Sequence, residues 1–431
     1  MQTSRANLAI FMKTLRRDAI RVWRAGVVHI GASNLLVRGT ALAQRIFLAR
    51  LLGAENIGHI AVITATLSLI RLPAGAGTFT VVNKLVAESD HDVNAQREIV
   101  GTSIWVNLVT TLLVGVCSWF ILSNTSWIND QVANRLLRIL VFFLPFMILS
   151  EVFSNALIGQ RRMRTFARIN ISLSLIGILV VIPMVYVWSL SGWFINLVLV
   201  ILLGFGLLAW SIRAILSLKW NRVISKKIVT IGGFAFLAQL TGTLLVRFDT
   251  LSVSAILGDP SATGIYFTAS LVAQQMIFIP GAILVVVFPV VAQKLNDLQG
   301  LKELYWELFR KIGALALSLS IFMWLVSPWF FALFGQEFVE AVTPFRILTL
   351  GFIARSLFVL DNTYLNALGR TDITFASGVP AAGLTIALNL TFIPIWGVIG
   401  AAWATTLSMF LSLAIRQAAV HYFIFHKYAV R

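Results

Sequence analysis

Cysteine and charge are both scarce in this chain of 431 residues. Its single cysteine, Cys117, lies in an apolar run, and a lone cysteine excludes an intrachain disulfide. Only 12% of the residues are charged, about half the share that is typical of a soluble domain. Hydrophobic residues make up 58% of the chain, and its mean hydropathy is +0.88. By composition, the chain is a polytopic membrane protein.

Motifs for several kinds of chemistry are also missing. The five histidines form no metal-spaced cluster, and no Walker sequence, nucleophile elbow or zinc signature occurs. We therefore expect no catalytic residue, no metal site and no cofactor. The formal net charge of +17 would suggest a nucleic-acid partner for a soluble protein. Here most of that charge falls in short loops between apolar segments, where it orients the chain in a bilayer, so no nucleic-acid partner is expected.

About twelve segments are long enough to cross a bilayer, which takes roughly 20 residues each. The predicted spans are Val27–Leu48, Ile57–Val82, Ile99–Leu122, Val132–Ile158, Phe166–Trp188, Trp193–Leu216, Ile228–Leu257, Gly264–Ala292, Ile312–Phe334, Val342–Leu368, Phe375–Pro394 and Gly397–Tyr422. The predicted fold class is an all-α polytopic membrane protein, with these helices in two six-helix bundles related by pseudo-two-fold symmetry. The bundles would cover residues 27–218 and 228–422, joined by a cytoplasmic linker at 219–227. Residues 1–26 form a basic N-terminal segment and residues 423–431 a cytoplasmic tail.

Two structures are possible for the basic N-terminal segment. Its apolar residues could share one helical face, which favours an interfacial helix on the cytoplasmic surface. The alternative is a disordered basic tail.

The loops alternate in charge along the chain. One set, in which we count Arg416, contains most of the 34 Lys+Arg. The other set is nearly free of them, and its charges are mostly acids: Asp130, Asp259, Glu337 and Glu340. Because positively charged loops stay in the cytoplasm, the alternation places both termini there and supports an even number of spans.

The sequence contains a weak internal repeat. Residues 135–159 align without gaps to residues 346–370, and Asn155-Ala156-Leu157 meets Asn366-Ala367-Leu368. A second echo links Leu52-Gly53 and Gly58 to Leu257-Gly258 and Gly264. An even number of spans in each copy keeps the copies in the same orientation, and such parallel repeats suit alternating access by rocking bundles.

Three motifs, taken in order, resemble the oligosaccharide flippases of the polysaccharide transporter family. They are the first-span turn from Arg45 to Gly58, the segment from Arg247 to Tyr266 with Pro280 and Pro289 after it, and the closing segment from Asn389 to Ala402. The resemblance covers about residues 27–420. It implies a bacterial inner-membrane protein that moves an undecaprenyl-pyrophosphate-linked glycan from the cytoplasmic to the periplasmic leaflet. The same superfamily also contains multidrug antiporters and flippases for lipid-linked peptidoglycan precursors.

Arginines lie at or within many of the predicted spans, where each costs roughly 2.5–3.5 kcal/mol at the helix centre. Arg38, Arg71, Arg247 and Arg355 fall near span centres, and Arg38 shares a helix face with Arg45. A guanidinium stays charged and binds phosphate oxygens in pairs. We therefore predict that these four line a cationic cavity for the headgroup, and we add Arg45 as an ambiguous member. Near the outer span ends lie the arginines that we interpret as structural anchors: Arg50, Arg135, Arg138 and Arg346.

Three acids also fall within predicted spans: Glu151, Asp249 and Asp361. The first hypothesis is that they neutralise intramembrane arginines as ion-pair partners. The alternative is that one of them binds a coupling ion, H⁺ or Na⁺.

Other functions remain open at this stage. A multidrug antiporter exports cations, so its cavity should favour acids, whereas this chain has more intramembrane arginines. A membrane glycan polymerase or ligase needs catalytic surface outside the bilayer, and the outer loops here are too short for a domain. A scaffold that transports nothing is a further alternative. For the flippase, the expected partners are a lipid-linked anionic glycan, the lipid bilayer and other polysaccharide-assembly proteins.

Overall fold

The computed structural model describes residues 27–75, 77–89, 92–124, 128–294, 297–368 and 371–422. Helices dominate these ranges, and no β-strand occurs within them. In chain order the α-helices are α1 Val27–Gly75, α2 Thr78–Glu88, α3 Val93–Asn124, α4 Gln131–Val141, α5 Leu144–Gly159, α6 Met163–Ser211, α7 Arg222–Leu257, α8 Pro260–Gln274, α9 Phe278–Gln293, α10 Leu298–Ala332, α11 Val342–Ala367 and α12 Thr371–His421. Short 3₁₀ helices cover Gln275–Ile277 and Gln336–Ala341. The segments predicted at 1–26 and 423–431 lie outside the described residues.

The three longest helices are each broken once. Helices α1 and α6 have 49 residues and α12 has 51, which at 1.5 Å per residue is about 75 Å, more than twice the hydrocarbon thickness of a bilayer. Their backbones leave helical geometry at Gly53, Ser189 and Gly397. These breaks fall within or beside the short loops that the sequence predicted between consecutive spans.

The helix that carries Arg71 ends shortly after that residue. Helix α1 ends at Gly75 and α2 begins at Thr78, with Gly77 in the left-handed region at φ 67°. Glycine adopts that conformation without a steric penalty. The interruption follows Pro73 by two residues.

The helices make this a multi-pass membrane fold. By length and hydropathy, seven segments of the described chain qualify as candidate spans, or eight when the pair α4 and α5, bent by 61°, is counted as one. The all-α polytopic class is confirmed. The count of about 12 spans and the division into two six-helix bundles stay predictions. Below, "first half" and "second half" mean residues 27–218 and 228–422.

Several boundaries differ from the prediction. The span expected at Val132–Ile158 is two helices, because Pro145 lacks the N–H that would continue the hydrogen bonding of the preceding turn. The span expected at Ile312–Phe334 belongs to α10, which already begins at Leu298. Helix α6 ends at Ser211 and α7 begins at Arg222, so the non-helical segment 212–221 overlaps only the start of the linker predicted at 219–227.

One residue was also placed in the wrong environment. Arg416 was counted with the basic loops. It lies instead in α12, and its residue surface is only 3% exposed.

The internal repeat reappears in the backbone geometry. Ser189 has φ 51° and ψ −130°, and Gly397 has φ 57° and ψ −133°. Just after each kink, a glycine packs against the carbonyl oxygen of the incoming helix: Gly192 against Met184, and Gly400 against Phe392. The two kinks are separated by nearly the same number of residues as the repeat copies. Two stretches of different sequence therefore fold through the same tight reversal.

The two glycines of the second sequence echo lie at one helix crossing. A Cβ atom added to Gly58 in α1 would lie 1.8 Å from the carbonyl oxygen of Pro260. A Cβ atom added to Gly264 in α8 would lie 2.0 Å from the carbonyl oxygen of Ala54. Only glycine permits so close an approach of two backbones. The first and second halves are thus joined where the repeat-related segments meet.

The loops lie at two ends of the molecule, and different hydrogen bonds connect them at each end. At the acid-loop end, which contains Gly53, Asn129 and residues 333–341, bonds cross between the halves. Ala54 N–H donates to Glu337 Oε2 at 2.8 Å, Arg50 Nε donates to the Leu333 carbonyl at 2.6 Å, and Asn129 Nδ2 donates to the Ala255 carbonyl at 3.1 Å.

The basic-loop end contains residues 160–162 and 212–221. There Gln160 Nε2 donates to Gln96 Oε1 at 2.7 Å, and Asn221 Nδ2 donates to Glu98 Oε2 at 2.9 Å. These bonds tie the loops of the first half and the start of α7 to α3. The observed ends match the two loop sets of the sequence.

The hydrophobic core follows the same division. The largest cluster of buried residues draws on both halves, with Leu137 and Tyr266 among its fully buried members. A second cluster, around Leu301 and Leu360, belongs to the second half. A third, around Val100 and Val152, belongs to the first half. The halves therefore share their largest core near the helix crossing. Toward the basic-loop end each half has a core of its own, and a small cluster of Val81, Val106 and Ile228 joins them.

We expect Gly58→Ala and Gly264→Ala to destabilise the protein by about 1–3 kcal/mol each, the usual cost of overpacking. The added methyl group would force α1 and α8 apart. Thermal unfolding of the purified chain in detergent measures the effect. Gly206→Ala and Gly383→Ala are matched controls, because a Cβ atom at either position meets nothing within 4 Å. Equal stability of all four variants would contradict the close crossing.

Candidate functional site

Two adjoining cavities lie between helices of the first and second halves. The first, of about 310 Å³, is here named the arginine cavity. It is lined by Ala41, Leu42, Gln44, Arg45, Leu48, Ala49, Ile57, Ile60, Thr64, Trp193, Arg247, Phe267, Thr268, Leu271, Val272 and Phe334. The second, of about 350 Å³, is named the polar cavity. It is lined by Ser68, Arg71, Leu72, Phe79, Glu151, Gln239, Gly242, Thr243, Val246 and Arg247.

Arg247 connects the two cavities, because it lines both. It lies on α7, in the second half, and is partly buried. Among the described side chains, no hydrogen bond or ion pair engages its guanidinium, although Asp249 follows two residues later. A partly buried cation at the junction of two cavities is a natural contact for an anion.

Arg71 forms an ion pair with Glu151 in the wall of the polar cavity. Both side chains are about one-third exposed, at 36% and 31%. The pair joins α1 to α5 within the first half. This is the kind of contact that the pairing hypothesis expects for Glu151, and it leaves this part of the cavity wall balanced in charge.

The two remaining arginines of the first half are placed differently. Arg45 lines the arginine cavity and is partly buried. Arg38 lies in α1, but its side chain falls outside the described residues. The structure thus brings Arg45, Arg71 and Arg247 together around adjoining cavities. The predicted role of Arg38 stays a prediction.

Asp249 is held by hydroxyl groups rather than by an arginine. It is 1% exposed, and Oδ2 accepts hydrogen bonds from Tyr266 Oη at 2.6 Å and Thr405 Oγ1 at 3.3 Å. Oδ1 accepts from the backbone N–H of Thr250 at 2.6 Å. Within the described residues Asp249 forms no ion pair. The pairing hypothesis therefore does not describe the observed contacts of Asp249.

Asp361 has a similar environment near the basic-loop end. It is fully buried, and its Oδ1 accepts a hydrogen bond from Tyr305 Oη at 2.7 Å. Oδ2 is also buried and has no hydrogen-bond partner among the described residues. A guanidinium nitrogen of Arg416 donates to Oδ1 of Asn362, the next residue in the chain, at 3.0 Å.

Arg355 lies apart from both cavities. Its guanidinium stacks over the ring of Phe358 at 4.4 Å, and that of Arg416 lies over the same ring at 3.8 Å. Cation–π contact is one way to accommodate a cation away from water. The prediction that Arg355 shares a cavity with the other central arginines does not agree with this placement.

The arginines near the predicted span ends make contacts that fit anchors. Arg50 binds the Leu333 carbonyl, as described above. Arg346 stacks on Trp324 at 4.2 Å and donates to the Trp324 carbonyl at 3.2 Å. Arg135 is exposed and Arg138 is partly buried. None of the four lines either cavity.

Sequence reasoning missed the hydroxyl and amide groups that complete these sites. Tyr266 belongs to one of the motifs of the resemblance, but no role was predicted for it. No role was predicted for Gln239 or Thr243 on α7 either. Helical spacing could have indicated Gln239 and Thr243, because residues three or four apart share a helix face. Thr243 lies four residues before Arg247, and Gln239 lies four before Thr243. Tyr305 was hidden because the helix that carries it was predicted to start later.

Comparisons with known proteins agree with this architecture. Residues 47–343 match a family model described as polysaccharide biosynthesis protein. A Shigella flexneri protein named as an O-antigen transporter is 22% identical over 400 residues, which is 86% of this chain and 91% of that protein. A Haloferax volcanii protein, named as the low-salt glycan biosynthesis flippase Agl15, is 23% identical over 438 residues, which is 96% of this chain and 85% of that protein.

Solved structures share the fold. The inward-facing conformation of a multidrug resistance MATE family transporter of the MOP superfamily has a TM-score of 0.76 at 14% identity, covering 89% of this chain and 94% of that one. The lipid II flippase MurJ in an inward closed conformation has a TM-score of 0.74 at 15% identity, covering 91% of this chain and 87% of that one. At these identities the likeness establishes the fold.

We expect Tyr266→Phe to lower the stability of the protein by about 1–3 kcal/mol, because a buried carboxylate loses its shortest hydroxyl donor. Thermal unfolding in detergent measures the loss. Tyr186→Phe is the matched control, since Tyr186 is 81% exposed. If both variants unfold at the temperature of the unchanged protein, Tyr266 does not support Asp249.

Proposed function

We infer that this chain, which belongs to the polysaccharide biosynthesis protein family, is a flippase that carries a lipid-linked anionic glycan across a membrane. The observation that carries this inference is the pair of adjoining cavities lined by Arg45, Arg71 and Arg247. Both relatives are named as glycan or O-antigen transporters. The chain is accordingly a transporter and not an enzyme.

The charge of the cavities favours an anionic cargo. The three arginines are opposed by one acid, Glu151, among the residues that line the two cavities. In a low-dielectric wall, a net positive charge attracts phosphate much more strongly than it would in water. A multidrug resistance transporter shares this fold. A second candidate is therefore a multidrug antiporter that exports cations, but the excess of arginine over acid in the cavities opposes it.

We propose that the cargo is an undecaprenyl-pyrophosphate-linked oligosaccharide, as the resemblance to polysaccharide flippases implies. Its diphosphate supplies the anionic group for the arginines, while the polyprenyl tail stays in lipid. The setting would be the bacterial inner membrane, with both termini in the cytoplasm. Other polysaccharide-assembly proteins would supply the cargo and receive it.

Alternating access fits the distribution of contacts. The halves share their largest core and several hydrogen bonds at the acid-loop end. Toward the basic-loop end each half has a core of its own, and a small cluster of Val81, Val106 and Ile228 joins them. His59 and Asp130, whose side chains lie 2.5 Å apart, add a buried contact within the first half beside the crossing. With the basic loops in the cytoplasm, this arrangement is closed to the outside. Transport would require the shared contacts to open.

Deletion of the gene should cause a lipid-linked glycan to accumulate on the cytoplasmic leaflet, and complementation then tests the arginines. Alanine at Arg45, Arg71 or Arg247 should lower flipping by about 10- to 100-fold, as expected for lost hydrogen bonds to a charged group. Lysine should restore part of the activity, because it keeps the charge but loses the paired geometry.

Arg38 and Arg355 belong in the same series, with Arg213→Ala as the control. Arg213 is exposed and stacks on Trp210 at the basic-loop end. Arg355→Ala should mainly reduce the amount of folded protein, because its observed partner is Phe358. Full activity in every arginine variant would remove the cationic cavity from the mechanism. Loss of glycan synthesis, without accumulation, would favour an enzyme.

The buried acids are candidates for coupling to H⁺ or Na⁺, since neither Asp249 nor Asp361 has an arginine partner within the described residues. We expect Asp249→Asn or Asp361→Asn to abolish the response of transport to an imposed ion gradient while binding of the lipid substrate persists. Transport into proteoliposomes, with and without the gradient, measures this. Asp259→Asn is the control, because exposed Asp259 caps α8, a role that asparagine also fills. Unchanged gradient dependence in both variants would assign the acids a structural role.

A further inference from the structure

We propose that the junction between α6 and α7 is a docking surface for anionic phospholipids of the membrane leaflet at the basic-loop end. The surface, here named the linker patch, combines exposed apolar side chains with exposed cations. Its members are Trp105, Leu218, Lys219, Trp220, Arg222, Val223, Lys226 and Lys227. None of them lines the arginine cavity or the polar cavity. The ligand is a lipid of the bilayer itself and not the cargo, so this surface goes beyond the proposed function.

The backbone of the linker patch is fixed on α3. The N–H group of Asn221 donates to Thr102 Oγ1 at 3.0 Å. A Cβ atom added to Gly101 would lie 2.5 Å from the carbonyl oxygen of Lys219, so the segment packs directly on the helix there. The segment is therefore a packed part of the first half, and the exposure of its side chains belongs to a defined surface.

Large apolar side chains are exposed on this surface. Leu218 is 67% exposed, Trp220 55% and Val223 65%. Beside them, Trp105 Nε1 of α3 donates to the Leu218 carbonyl at 2.9 Å, while 42% of Trp105 stays exposed. Tryptophan is favoured at the headgroup level of a bilayer, because its ring meets acyl chains there while its N–H meets polar groups. This composition indicates contact with the membrane surface instead of bulk water.

Four exposed cations accompany the apolar side chains: Lys219, Arg222, Lys226 and Lys227. Within the described residues none of the four forms an ion pair. The chain has no acid between Glu151 and Asp249, and the carboxylate of Glu98 on α3 accepts a hydrogen bond from Asn221. The surface is therefore strongly positive. Its charge is complementary to the phosphates of an anionic leaflet.

The other basic loops differ from the linker patch. Lys84 pairs with Glu88 at 3.8 Å, and Lys311 pairs with Glu307 at 2.5 Å. The segment 160–168 has exposed arginines but contains no tryptophan. Orientation of the chain in the bilayer requires only the positive charge. The combination of cations with exposed tryptophan and leucine therefore needs a further explanation.

Stabilisation of α7 does not supply that explanation. A positive charge in the first turn of a helix opposes the helix dipole, and Arg222 is the first residue of α7. A phospholipid satisfies both parts of the surface, because its phosphate lies beside its acyl chains. Asn221 binds α3 and caps α7, so a lipid docked here would anchor the junction of the two halves at the membrane surface.

Native mass spectrometry of lipids bound to the purified full-length chain tests the proposal. The probes are phosphatidylglycerol, which is anionic, and phosphatidylcholine, which has no net charge. The double variant Lys219→Gln and Arg222→Gln should weaken binding of phosphatidylglycerol by about 10- to 30-fold, since each cation near an anionic surface contributes about fivefold. Binding of phosphatidylcholine should not change. Trp220→Ala should weaken both lipids by roughly tenfold, because it removes apolar contact area.

A second double variant, Arg164→Gln and Arg168→Gln, is the matched control. Both arginines are exposed in the basic loops outside the linker patch, and the change in charge is the same. Thermal unfolding of each variant checks that it has folded. This control should bind phosphatidylglycerol as tightly as the unchanged chain does.

Three results would overturn the proposal. One is unchanged affinity for phosphatidylglycerol in the Lys219 and Arg222 double variant. Another is an equal loss in the Arg164 and Arg168 variant, which would indicate general attraction by the basic loops. The third is displacement of phosphatidylglycerol by undecaprenyl diphosphate with the same dependence on Lys219 and Arg222, which would assign the surface to the cargo. Failure of the flipping assay would overturn the proposed function alone, because the probes here are lipids of the bilayer.

Discussion

The close crossing of α1 and α8 is the contact on which the rest of the structure depends. Gly58 and Gly264 let two backbones approach to a distance that any side chain would prevent. Because the crossing lies at the acid-loop end, the two halves share their largest core there, whereas toward the other end a much smaller cluster joins them. The cavities form beneath this junction, and Arg247 of the second half thereby meets Arg45 and Arg71 of the first.

Away from the crossing, the structure accommodates its intramembrane charges in three different ways. Arg71 has a carboxylate partner, Asp249 and Asp361 have tyrosine hydroxyl partners, and Arg355 and Arg416 share the ring of Phe358. Each arrangement lowers the cost of removing a charge from water. Arg45 and Arg247 line the arginine cavity, and no acidic side chain is among its lining residues.

The repeat-related parts of the two halves have similar backbone geometry but different functional side chains. The kinks at Ser189 and Gly397 have almost the same backbone angles, and a glycine packs behind each. Yet the first half supplies Arg45, Arg71 and Glu151 to the cavities, whereas the second half contains the fully buried acids Asp249 and Asp361. Arg247 of the second half also lines both cavities, two positions before Asp249 on α7.

The sequence by itself determined the membrane class, the alternation of the loops and the positions of the main helix breaks. Hydropathy, loop charge and glycine are local properties, and the bilayer requires each span to satisfy its own backbone hydrogen bonds. Tertiary structure decided which charges meet. Glu151 forms an ion pair with Arg71, and Tyr305 donates a hydrogen bond to Asp361. Arg355 stacks on Phe358 and lines neither cavity. Such contacts join distant positions, so they depend on how the helices pack and not on spacing along the chain.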